Sequence, residues 1–313
     1  MSAQPTTPVR RKRLWRISAA FAVLLGLAVY LVVQYVTGGP GAPHCTVRAE
    51  GDGEAYELTP EQAANAATIS AVASSRGLPE RAVTIALATA MQESGLRNID
   101  FGDRDSVGLF QQRPSQDWGT VKQIMDPVYS AGEFYRHLVK VPGYSRLPLT
   151  AAAQKVQRSG YPQAYAKHEA NAARLTGALT GRDPAALTCT QSRPVDDRSG
   201  GGAKVRERLV REFGPEVLPR TDGVGGRHAG GRRTVTVPVR PTGPGAGGSA
   251  TQRGWELATW AVAHSAELRI EQISYAGRTW AAADSGKGWQ KRPADSGAAS
   301  ARSAGDVRII TAP

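Results

Sequence analysis

Residues 17–36 form a predominantly apolar stretch of twenty positions without a charge, with Gln34 as the one amide, and Arg10, Arg11, Lys12, Arg13 and Arg16 lie just before it. Twenty residues at helical rise span about 30 Å, the thickness of a bilayer core. The cationic flank predicts a cytoplasmic tail over 1–16, a transmembrane helix over 17–36 and export of everything beyond, hence a single-pass cell-membrane protein with its bulk outside. The competing pattern is a cleaved signal peptide, whose apolar stretch is shorter, about 7–15 residues, and ends at a small-residue site of A-x-A type. No such site is clear here, and no Cys follows a Leu-x-Gly lipobox pattern.

Beyond a linker at 37–58, apolar positions recur at helical spacing. Thr59, Pro60 and Gln62 form a capping-box pattern with first-turn proline, opening a helix that runs to about Ser75 with Gly77 just past it. A second helix starts after Pro79 and reaches Glu93-Ser94, and further ones are predicted over 126–140, 150–158 and 163–179. Strand-like alternation is absent, so 59–189 reads as an all-α domain of five or six helices.

After a linker at 190–203 the pattern changes. A short amphipathic helix over 204–213 carries Val205, Leu209 and Phe213 on one side, and a helix over 255–268 turns Leu257, Trp260, Ala261, His264 and Leu268 inward. Strands follow at 269–275, at Thr279-Trp280 after the Ala276-Gly277-Arg278 turn, and at 307–311. Of the 35 glycines, 14 lie between 200 and 254, and 238–254 reads as a disordered loop. The fold class is therefore multidomain: an N-terminal transmembrane helix, an all-α domain and a small α/β C-terminal domain over 204–313.

Charge refines this division. The net +12 splits into +5 over 1–44, zero over 45–189 and +7 over 190–313. A uniformly basic nucleic-acid binder does not have its best-formed domain neutral, so nucleic acid is not an expected partner. The +5 is a topology signal, and the +7 would suit anionic wall polymers or be a solvated basic face. Arg outnumbers Lys 31 to 8, which fits a GC-rich bacterial genome.

The chain has two cysteines, Cys45 and Cys189, at the two ends of the neutral region and on the expected exported side. A bridge would clasp one domain's termini. The alternatives are unrelated thiols, or zinc ligands with His44, although two Cys alone make a poor zinc site.

Glu93 ends the second helix above Ala90, Thr89, Ala86, Ile85 and Ala82, an almost apolar stripe. Desolvation there raises a carboxyl pKa, the property a general acid for glycosidic cleavage needs at neutral pH. A lone Glu at a helix end is more simply a solvated residue; the downstream pattern separates the two.

Glu93-Ser94 is followed by Gly108-Leu109-Phe110-Gln111, with 18 positions from Glu93 to Gln111. This spacing resembles the lytic transglycosylase and goose-type lysozyme superfamily over about 59–180, and it implies a lysozyme-like fold. The resemblance implies Glu93 as catalytic acid and base on the bond between N-acetylmuramic acid and N-acetylglucosamine, assisted by the substrate's own acetamide. It implies Ser94, Gln111, Gln112, Trp118, Tyr161 and Tyr165 as substrate-binding residues, peptidoglycan glycan strands as partner and no cofactor. Arg113 and Gln116 extend the polar strip, and Trp118 is either a sugar-stacking ring or a core residue. The sequence departs from the family pattern at Asn98 and Gly102, and Gln157-Arg158-Ser159-Gly160-Tyr161-Pro162 stands where Tyr-Asn-Ala-Gly is common. If a second carboxylate is needed, Asp103, Asp105 and Asp117 are available.

The C-terminal region, through Gly254, the Trp260 helix, Ile273-Ser274-Tyr275, Gly277-Arg278-x-Trp280, Trp289 and Val307-Arg308-Ile309, resembles a module of actinobacterial secreted proteins related to D-alanyl-D-alanine carboxypeptidase-like zinc peptidases. The zinc pattern would begin at His228, but Val235 holds the Asp place, and Asp306 and Arg308 hold the two His places of the last strand. Val cannot ligate and Arg is permanently cationic. The resemblance therefore implies a degenerate module without metal or peptidase activity. Two functional classes remain: a membrane-anchored glycan-cleaving enzyme, and a non-catalytic peptidoglycan-binding or scaffold protein with the same fold.

Overall fold

The computed structural model describes residue 21 and residues 23–30, 42–48, 54–158, 162–191, 201–218, 233–240, 249–291 and 305–313. Helix α1 (Pro60–Ser75) opens on the expected reciprocal cap: Gln62 N–H donates to the Thr59 hydroxyl at 3.2 Å, and Thr59 N–H donates to Gln62 Oε1 at 2.8 Å. From Ala63 to Ala73 the helix is buried, apart from the half-exposed Ala64. The one amide in that stretch, Asn65, donates to the Leu96 carbonyl at 2.9 Å and ties α1 to the end of the next helix.

Helix α2 (Glu80–Ser94) is buried without a break from Ala82 to Met91, with alanines at many positions that let neighbouring helices approach closely. It stops at Gly95, which takes the left-handed conformation (φ 63°) that glycine adopts without steric cost, and the Gly95 and Leu96 amides return to the Met91 and Ala90 carbonyls. Helices α3 (Val121–Ile124), α4 (Pro127–Leu138), α5 (Leu149–Gln157) and α6 (Glu169–Leu179) pack around this pair, and a 3₁₀ turn at Pro162–His168 precedes α6. The helix expected over 163–179 is therefore two elements.

Strands β1 (Cys45–Val47), β2 (Tyr56–Leu58) and β3 (Leu187–Cys189) form a small antiparallel sheet in the order β2-β1-β3. The first two fall within the expected linker at 37–58. Each has three residues, too few for alternation to register. Cys45 and Cys189 are direct partners across β1 and β3 and are joined by a disulfide, so the zinc and free-thiol alternatives do not apply.

The C-terminal part holds α7 (Gly202–Phe213), β4 (Thr234–Pro238), α8 (Ala250–Ala263), β5 (Ile270–Tyr275), β6 (Arg278–Ala281), β7 (Gln290–Lys291) and β8 (Asp306–Thr311). The strands make one antiparallel sheet in the order β4-β8-β5-β6-β7. Strand β4 is additional to the predicted strands, although Val235 and Val237 do alternate with exposed or half-exposed neighbours. Val235, set against an aspartate ligand in the zinc comparison, is a fully buried sheet residue. Helix α8 begins before the expected position 255 because the Ser249 hydroxyl caps it, accepting from Gln252 N–H at 3.1 Å.

The helical region and the sheet region, separated in sequence by 190–203, share one core within residues 43–313. Thr68 of α1 donates to the buried Glu212 carboxylate of α7 at 3.0 Å, Trp260 of α8 donates to its other oxygen at 2.7 Å, and Arg253 of α8 donates to Ser74 at 2.7 Å. Gly181 lies so close to the α8 backbone at Gln252 and Glu256 that a Cβ there would overlap it. The structure is thus mixed α/β, helical first and sheet-bearing last.

Residues 1–42 form a separate unit. Residues 23–30 are helical, and most of the ends of the expected 17–36 span lie outside the described residues. Among the described residues no helix is long and apolar enough to cross a membrane.

The disulfide closes a separation of 144 residues. Chain-entropy loss in a loop of that size is worth about 4–5 kcal/mol. Reduction of the full chain is expected to lower its melting temperature, and a Cys45→Ser/Cys189→Ser variant should match the reduced protein. An unchanged melting temperature with both thiols shown free by mass spectrometry would contradict this.

Candidate active site

Because α2 is enclosed by its neighbours, its last turn is a fixed platform. Glu93 is half-buried there, and its Oε1 accepts a hydrogen bond from the Tyr165 hydroxyl at 2.7 Å. Tyr165 is itself fully buried on the 3₁₀ turn. Burial pushes the Glu93 carboxyl above its ordinary pKa, while hydrogen bonds from Tyr165 and Gln157 pull the other way without cancelling it. The group is a carboxyl biased toward its protonated form with donors in place for its anion.

Ser94, next in sequence, is buried and internal. Its Oγ lies 2.8 Å from the Leu109 carbonyl and 3.1 Å from that of Ala90, so the hydroxyl joins the helix end to the following loop. That loop is a tight hairpin: Val107 and Gln112 exchange backbone hydrogen bonds of 3.0 Å in both directions. Gly108, at φ 80°, brings its α-carbon against α3, where a Cβ would come within 2.9 Å of the Ile124 carbonyl. Leu109 and Phe110 are fully buried, and Phe110 stacks on Phe134 with ring centres 4.6 Å apart. Gln157 Nε2 donates to the Phe110 carbonyl at 2.7 Å, so one side chain touches both the hairpin and Glu93.

The remaining candidates divide. Gln111 is half-buried at φ 47°, its amide 3.4 Å from the carbonyls of Phe101 and Gly108. A Cβ at Gly102 would come within 2.7 Å of the Ser106 carbonyl oxygen and overlap the Gln111 side chain, which accounts for glycine at that departure from the family pattern. Gln112 is buried and donates to the Ser130 carbonyl at 3.0 Å, and Trp118 is 8% exposed with its ring stacked on His137 at 4.2 Å. Both therefore point into the domain. Tyr161 lies outside the described residues. Asp105 is held well below the usual carboxylate range by Arg113, whose Nε is 2.7 Å away, and by Ser115.

Gln157 opens the run that stands where Tyr-Asn-Ala-Gly is common, but the sequence pattern gives it no role of its own. It ends an amphipathic helix whose buried face is Leu149, Ala152, Ala153 and Val156, and that periodicity does not say what the next residue touches. His168, unmarked in the sequence, has Nε2 at 3.2 Å from Gln92 Oε1, with its pKa depressed by burial and by Lys167.

Residues 200–303 match the model of the VldE C-terminal domain family. No curated protein matches the chain. The matched segment runs from α7 past β7 and contains none of the residues around Glu93. His228 lies outside the described residues, and among those described no three His, Cys, Asp or Glu side chains converge on a common metal position.

Ser94→Ala would leave the Leu109 carbonyl without its hydroxyl partner. The expected cost is about 1–3 kcal/mol of stability, with faster amide exchange across residues 107–112. Unchanged exchange in that hairpin would contradict the tie.

Proposed function

We propose that this chain is a membrane-anchored, extracytoplasmic cell-wall enzyme that cleaves the bond between N-acetylmuramic acid and N-acetylglucosamine in peptidoglycan. The observation that supports it is one juxtaposition. A carboxyl with a raised pKa ends a rigid helix, takes a hydrogen bond from Tyr165 and shares Gln157 with the hairpin bearing Gly108-Leu109-Phe110-Gln111.

Protonated Glu93 gives its proton to the glycosidic oxygen as the bond to the muramyl anomeric carbon breaks, and the muramyl acetamide oxygen closes on that carbon. The Glu93 carboxylate, now stabilised by Tyr165, takes a proton from the attacking hydroxyl. Attack by the muramyl 6-hydroxyl yields an anhydro sugar, and attack by water yields a reducing end. Asp105 is engaged with Arg113 and Ser115, so the acetamide, rather than that carboxylate, is assigned the second role of the usual two-carboxylate scheme. The charge-free run at 17–36 with its cationic flank supports the anchor.

The test is a digest of purified peptidoglycan by the full-length chain in detergent. Anhydromuropeptides or new reducing ends are expected, with Glu93→Gln slower by about 10²–10⁴-fold. The rate should fall as pH rises through the raised Glu93 pKa, because the acid must be protonated to act. No product from the unaltered chain would overturn the proposal.

A further inference from the structure

The sheet-bearing region, with its surplus of basic residues, contains a cavity of about 210 Å³ walled by the end of α7, the 3₁₀ turn at Pro215–Val217, the end of β4 and the first half of α8. Phe213, Val217, Pro238 and Leu257 make its sides apolar, and Arg240, Arg253 and Glu216 supply its charge. Arg240 is exposed, whereas the Arg253 side chain is only 12% exposed. All seven residues lie within the segment that matches the VldE C-terminal domain family, away from the surroundings of Glu93.

Arg253 is anchored without using its whole guanidinium. Nη1 donates to the Ser74 hydroxyl at 2.7 Å and to Glu256 Oε2 at 2.6 Å, which takes both hydrogens of that nitrogen. The guanidinium carbon stands 4.7 Å from the centre of the Phe213 ring, a cation–π contact that fixes the plane of the group. Nε and Nη2 make no hydrogen bond among the described residues. Those two nitrogens share one edge of the planar group, and their parallel N–H bonds match the two oxygens of a carboxylate. Burial pushes Glu256 above its ordinary pKa, although Arg253 and Ser74 pull it down, so the carboxyl beside Nη1 is a weakened counter-ion.

We propose that this cavity binds a monocarboxylate carried on a short apolar group, its two oxygens on Nε and Nη2 of Arg253 and its apolar part against Phe213, Val217 and Leu257. The buried, pre-oriented fork gives the direction of binding, and Arg240 adds a second positive charge. Glu216 in the lining and Glu256 behind Arg253 set the limit of one negative charge, which favours a carboxylate over phosphate. The cavity is smaller than those that enclose a drug-sized molecule, so it takes a small acid or the carboxylate end of a longer chain. The site is independent of the glycan-cleaving reading and stands or falls apart from it.

The experiment titrates the full-length chain, labelled with nitrogen-15 arginine and held in non-ionic detergent, with butyrate, N-acetyl-alanine, N-acetyl-alaninamide and inorganic phosphate. The Arg253 Nε–H signal, assigned by its loss in Arg253→Lys, should move saturably with both acids and stay in place with the amide and with phosphate. The tighter of the two acids tells whether the natural carboxylate belongs to a free acid or to the end of a peptide chain. By calorimetry, Arg253→Lys, which keeps the charge but loses the fork, should bind the acids about tenfold more weakly or worse. Arg240→Gln, a change at an exposed position, should keep the melting temperature and weaken binding about two- to fivefold. No saturable movement of the Arg253 signal with either acid would overturn the site, as would an equal response to the amide or to phosphate. Undiminished affinity in Arg253→Lys would overturn the role of the fork.

Discussion

The arrangement around Glu93 depends on the burial of α2. A helix closed in from Ala82 to Met91 cannot shift or tilt without opening the core, so its last turn has one position. Everything proposed for the site follows from what the chain does at that fixed end. Gly95 turns it sharply, the Ser94 hydroxyl fastens the hairpin at Leu109, and Gln157 reaches across to Phe110. The carboxyl between them is partly withdrawn from water but not isolated, since Tyr165 donates to it. Those two influences oppose each other, and burial dominates.

A second buried carboxylate shows the opposite balance. Burial alone would raise the Glu212 pKa, but the His264 imidazole, with Nε2 3.5 Å away, and hydrogen bonding from Trp260 hold it below the ordinary value. Glu212 also accepts from Thr68 of α1, so this carboxylate spans three helices and sets how the sheet-bearing part docks on the helical part. A buried ion pair adds little stability against an apolar replacement, yet leaving one partner alone is costly. Its geometric consequence is a defined orientation of α7 and α8 on α1. The segment that matches a known domain family is thus packed on the one that carries Glu93.

Much of this is legible in the chain. Helix termini are, because Thr59, Gln62, Gly77 and Pro79 act locally. The β5-β6 hairpin of the large sheet is, because its turn at Ala276-Gly277 is local too. The β1-β2-β3 sheet is not, since strands of three residues carry no period and are held by a disulfide and long-range pairing. The side-chain directions of Gln112 and Trp118 are not, because spacing in a hairpin does not reveal which face meets the core. Tyr165 can be named only as one of two tyrosines, and its contact with Glu93 is set by the 3₁₀ turn that splits the expected helix. The position of Gln157 is marked by the run that replaces Tyr-Asn-Ala-Gly, but its contacts are not legible, because its partners lie 47 and 64 positions away in sequence, at Phe110 and Glu93.

Glu93 is a carboxyl whose pKa burial raises above the ordinary value. Titration of the Glu93 side-chain carboxyl by carbon-13 NMR in the full-length chain tests this most directly, with Glu93→Gln used to assign the signal. A midpoint above that of a free glutamate is expected. A midpoint at or below the free value would contradict it, because such a carboxylate is ionised at neutral pH and has no proton to give.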